Sequence, residues 1–112
     1  ELNNMKLFKK IKNLVLIINP KTLLVDDIKK LIKLFGNVNR LKLDGLYGFT
    51  YNEKLVMILT ELIINLHNLN LLYFDRYYRR SNNELEKIQS LSIFNGRQCE
   101  IKLHHHLLMI WL

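Results

Sequence analysis

Three stretches of the chain share one template: Ile11-Lys-Asn-Leu14-Val-Leu16, Val38-Asn-Arg-Leu41-Lys-Leu43 and Leu69-Asn-Leu-Leu72-Tyr-Phe74. Each carries apolar residues at its first, fourth and sixth positions, and the starts lie 27 and 31 residues apart. Self-similarity at such a spacing marks one structural unit used several times, whose copies must stack because none buries its own apolar face. The alternation at the end of each copy has the period of a strand.

The segments between the copies read as helices. Asn19-Pro20 ends the first strand, since proline has no amide donor and holds its predecessor extended. From Val25 to Phe35 the apolar residues Ile28, Leu31, Ile32 and Phe35 recur at helical intervals, with Asp26 and Asp27 in the first turn and Gly36 just past the end. After the second copy, Asp44-Gly45 and Gly48 predict a loop, and Thr50-Tyr-Asn-Glu53 has the form of a capping box opening a helix to about Leu66. Ser81-Asn-Asn-Glu84 predicts a second box and a shorter helix toward Leu91. Ile88-Gln-Ser-Leu91-Ser-Ile93 also fits the strand template, but it starts only 19 residues after the third copy, which favours the helix. Gln98 to His104 and Leu107 to Leu112 predict two short strands, a hairpin through His105.

In the first copy the ninth position is Asn19, which completes the pattern LxxLxLxxN from Ile11. On these residues the chain resembles the leucine-rich repeat family, in the longer-unit variety of ribonuclease-inhibitor-like and F-box-associated repeats, over roughly residues 11 to 91. The ninth position is Leu46 in the second copy and Tyr77 in the third, a departure from the family's asparagine ladder. The resemblance implies an α/β leucine-rich repeat solenoid segment of about three strand-helix units, with a short C-terminal strand pair. It further implies one domain over residues 1–112, the C-terminal part of a longer protein, with residues 1–10 as a basic N-terminal cap or linker and residues 97–112 as capping strands. The chain starts on glutamate, which suits a piece of something longer, although no F-box stretch stands in these residues.

In such a solenoid Leu14, Leu16, Leu41, Leu43, Leu72 and Phe74 point into the core, and the third, fifth and seventh positions point outward. The outward set is Asn13, Val15 and Ile17, then Arg40, Lys42 and Asp44, then Leu71, Tyr73 and Asp75. This mixture of apolar, charged and aromatic groups suits a protein partner, with Tyr73 as the anchor. By the resemblance, the function is non-catalytic protein recognition, such as the substrate-recognition part of an F-box-type ubiquitin ligase subunit in the cytoplasm or nucleus.

Charge and composition supply the rival. The 112 residues carry a net charge of +7, all of it in the front: residues 1–43 hold ten Lys or Arg against three acids, and the remainder seven against seven. Basic asymmetry favours acidic partners, so the alternative is a small RNA-binding protein, for instance an organellar ribosomal component. Arg76-Tyr77-Tyr78-Arg79-Arg80 offers cations interleaved with rings that could stack on unpaired bases. The longest greasy stretch, Leu55 to Leu66, holds Thr60 and Glu61 and is far short of the roughly 20 residues of a membrane span. No metal site, cofactor or catalytic group is expected. His104-His105-His106 alternates across a strand without a further ligand at spacing, the single Cys99 has no partner thiol, and the four glycines form no phosphate loop.

Overall fold

The computed structural model describes residues 7–112. Five strands form one sheet: β1 (Asn13–Ile18), β2 (Arg40–Phe49), β3 (Leu71–Tyr77), β4 (Glu100–His104) and β5 (Leu107–Trp111), in the spatial order β1-β2-β3-β5-β4. The first three run parallel, and the C-terminal hairpin adds β5 and then β4 antiparallel. Helices α1 (Val25–Leu34), α2 (Glu53–Asn65) and α3 (Glu84–Gln89) follow β1, β2 and β3, and a 3-10 turn at Ser92–Phe94 precedes β4. The protein is therefore mixed α/β with an open sheet, and the predicted hairpin is present.

The repeat template is reproduced in the pairing. Leu14 stands opposite Leu41 and Leu41 opposite Leu72, while Leu16, Leu43 and Phe74 align in the same way. Equivalent positions thus meet with no stagger from strand to strand. The hairpin continues both rows through Ile110 and Ile101 and through Leu108 and Leu103. Leu41, Leu43, Leu72, Phe74, Leu108 and Ile110 are buried, and with Ile28, Leu55, Ile58, Leu59, Leu62, Ile63 and Ile88 of the helices they form the core. Each such side chain contributes roughly 1.5–3 kcal/mol of burial, most of it offset by the entropy of ordering the chain.

The links between units repeat as well. The Lys12 carbonyl accepts from the Asn39 and Arg40 N–H groups, and the Asn39 carbonyl accepts from those of Asn70 and Leu71. Side chains reinforce the steps: Asn37 Nδ2 donates to the Lys9 carbonyl at 3.1 Å and Asn39 Nδ2 to the Asn68 carbonyl at 3.0 Å. Of the expected N-terminal cap or linker, residues 1–6 lie outside the described residues; Phe8 packs against Phe35 with ring centroids 5.3 Å apart.

Several boundaries correct the sequence expectations. Asp44-Gly45 is not a loop, because β2 runs on to Phe49, pairing Gly45 with Ile18 and Phe49 with Tyr77. Asp44 pairs with Asp75, so residues 45–48 stand against Arg76 alone and the strand bulges. Two backbone positions absorb that mismatch, Gly48 at φ 88 and Arg76 at φ 60. The cap of α2 is Asn52, whose Oδ1 accepts from the Leu55 N–H at 2.8 Å, and not Thr50. Two residues nearer the helix, Asn52 reaches the free amide that the Thr50 hydroxyl does not. Gly36 does follow α1, but without a positive φ. The stretch 88–93 is the end of α3 and the start of the 3-10 turn, so the competing strand register is excluded.

Candidate functional site: the outer face of the sheet

All three helices pack on one side of the sheet, and the other side carries no second layer among the described residues. Its residues form three rows across five strands. The first is Asn13, Arg40, Leu71, Trp111 and Glu100; the second is Val15, Lys42, Tyr73, Met109 and Lys102; the third is Ile17, Asp44, Asp75, Leu107 and His104. The strands alternate because a pleated chain sends successive side chains to opposite faces. The structure thus brings Asn13, Val15, Arg40, Lys42, Asp44, Leu71, Tyr73 and Asp75 onto one surface.

Their accessibility differs. Val15 and Ile17, at the free edge, are 65% and 72% exposed. Asn13 and Arg40 are exposed, and Lys42, Tyr73, Asp44 and Asp75 are half-buried. Leu71 departs from the expectation of an accessible contact: only 7% of it remains exposed, because Arg40 and Trp111 flank it in the first row. Trp111, Met109 and Leu107 are functional candidates that sequence reasoning missed. The apolar run 107–112 was legible as a strand, but nothing in it said that β5 would lie beside β3.

Charge on this face is locally paired. Lys42 Nζ lies 3.5 Å from Asp75 Oδ2, and Arg76 Nε lies 3.2 Å from Asp44 Oδ1. Lys102 Nζ lies 3.2 Å from Glu100 Oε1 and 5.7 Å from the centre of the Trp111 ring. Exposed pairs of this kind are worth only tenths of a kcal/mol to about 1. Their consequence is a surface without an uninterrupted cationic track.

No protein-family model, curated protein or solved structure matches the chain.

The basic aromatic stretch after β3 is taken apart by the fold. Tyr77 is buried, its hydroxyl donating to Glu84 Oε1 at 2.5 Å. Glu84 also accepts from the Arg80 and Ser81 backbone N–H groups. Burial and the carboxylate beside it push the Tyr77 hydroxyl far above the ordinary tyrosine value. Burial alone would raise the Glu84 carboxyl, but donors from Tyr77, Ser81 and Arg80 hold it below the usual glutamate range. Tyr78 lies over Gly48 and packs against His106, with ring centroids 4.8 Å apart. The Tyr77 ring thus cannot serve as a stacking platform for bases.

The histidine run forms the turn of the β4–β5 hairpin, with His105 at φ 53. The His104 and His105 rings lie 4.1 Å apart, whereas His106 turns to Tyr78. Among the described residues no group of three or more His, Cys, Asp or Glu is placed to hold a metal ion. No helix among them is long and apolar enough to cross a membrane.

Proposed function

We propose that the chain is a leucine-rich repeat segment whose outer sheet face recognises a protein partner. The observation that carries this reading is the unstaggered stacking of Leu14, Leu41 and Leu72, which sets the outward residues in rows on a face with no second layer among the described residues. Tyr73 lies at the centre of the middle row, between Lys42 and Met109. Leu71 and Met109 give the ring two apolar neighbours and the Lys42–Asp75 pair two charged ones, and aromatic side chains in such mixed surroundings are enriched among binding anchors. By the resemblance to F-box-associated repeats, the partner is a substrate delivered to a ubiquitin ligase in the cytoplasm or nucleus.

A photo-crosslinking amino acid placed at Tyr73, compared with one at Lys30 on the exposed side of α1, tests the reading in cell extract. Cross-linked protein identified by mass spectrometry is then reconstituted with the purified chain. The expected outcome is a cross-link from position 73 alone, with a partner whose affinity falls about 30-fold (~2 kcal/mol) on Tyr73→Ala. Equal cross-linking from both positions, or a reconstituted affinity untouched by Tyr73→Ala, overturns it. RNA binding in a salt titration addresses the rival. A log-log slope of several phosphates would transfer the function to the basic front half.

A further inference from the structure

A cavity of about 410 Å³ opens at the carboxyl ends of β1 and β2, beside the amino end of α2. In sheets with parallel strands this is the end at which ligands bind. Three cationic residues, Lys21, Lys54 and Arg80, line it, and no Asp or Glu does. None of the three forms an ion pair among the described residues.

Contacts place two of the three, Lys54 and Lys21. Lys54 Nζ donates to the Pro20 and Lys21 carbonyls at 3.1 and 3.2 Å, which leaves one of its three N–H groups unused. Lys21 Nζ lies 5.5 Å from the centre of the exposed Tyr47 ring. The floor of the cavity is apolar, made by the buried residues Phe49, Leu55 and Ile58. Three like charges around one concavity repel each other and raise the local concentration of anions. A singly charged carboxylate leaves two of them uncompensated, whereas a dianion with three oxygens answers ammonium and guanidinium donors together.

We propose that this cavity binds a phosphate monoester, its dianion among Lys21, Lys54 and Arg80 and its organic group against the Phe49, Leu55 and Ile58 floor. The site lies at the end of the sheet and is independent of the outer-face reading.

Titration of the uniformly ¹⁵N-labelled chain with phenyl phosphate at constant ionic strength tests it by nuclear magnetic resonance. Saturable shifts are expected at the amides of residues 48–55 and 80, with inorganic phosphate at least fivefold weaker for want of the floor. Lys21→Met/Arg80→Met, at two exposed positions, should weaken phenyl phosphate more than tenfold in an otherwise unchanged spectrum. A phosphotyrosine peptide and its unphosphorylated form distinguish the sources of the group. Tighter binding of the phosphopeptide than of phenyl phosphate assigns it to a modified protein, and equal affinity assigns it to a small molecule. The proposal is overturned by shifts that rise linearly without saturation, or by shifts spread equally over Lys9–Lys12 and Lys29–Lys33. Benzoate binding as tightly as phenyl phosphate, or undiminished binding by the double variant, overturns it too.

Discussion

Glu84 is a carboxylate with only 2% of its surface exposed, kept ionised by the Tyr77 hydroxyl and two backbone N–H groups. The folded state thus binds its proton less readily than the unfolded chain does. Its contribution is complete above the unfolded glutamate value, about 4.3, and is lost as pH falls through the lower folded value. Urea midpoints should therefore hold near neutrality and drop on acidification below about pH 5, and Glu84→Gln should remove part of that drop. The same variant turns an amide donor toward groups that already donate, so it should cost about 1–3 kcal/mol at pH 7. Tyr77→Phe leaves the carboxylate one donor short and should cost a similar ~1–3 kcal/mol, read from the same urea curves. Half of this arrangement was legible beforehand. The spacing Ser81-x-x-Glu84 announces a glutamate reaching back to an amide, and Ser81 N–H does donate to it at 2.6 Å. The Ser81 hydroxyl, however, turns to Asn83 Oδ1, and the buried tyrosine joins only because β3 ends against α3. A contact between elements leaves no mark in local spacing.

The helices and strands themselves were readable because periodicity is local: α1 and α2 end within a residue of where their apolar spacing stops. The Gly45 to Gly48 stretch was misread for the opposite reason. Two glycines in four residues are a turn signal, yet here the long-range partners Ile18 and Tyr77 hold the segment in the sheet. Gly48 is needed for two reasons, its φ of 88 and a Tyr78 ring only 2.3 Å from where a Cβ would stand. Gly48→Ala should thus lose about 1–3 kcal/mol to backbone strain alone and displace Tyr78, visible as a lower thermal midpoint and altered tyrosine fluorescence. At the start of α2, Asn52→Ala removes the acceptor for Leu55 N–H and should cost about 1 kcal/mol in urea unfolding. Thr50→Ala, at the position the sequence pattern favoured, should cost less than half of that. Equal losses from the two variants would restore Thr50 as the cap.

Across the whole molecule, three parallel strands of one template end against a hairpin that runs the other way. The rows of the candidate face were legible over β1 to β3, since the template fixes which residues alternate outward. Their continuation into Trp111, Met109 and Leu107 was not, because strand order is set by which edge is free when the hairpin docks. The two borders of the sheet also differ. β4 shows water the charged Glu100 and Lys102, which discourage a further strand. β1 shows it Val15 and Ile17, with no second neighbour among the described residues. Val15→Lys should therefore leave the melting temperature within a degree or two and shift any concentration-dependent sedimentation toward the monomer. Among the described residues, charges on one border and aliphatic side chains on the other leave β1 as the margin with room for a further strand.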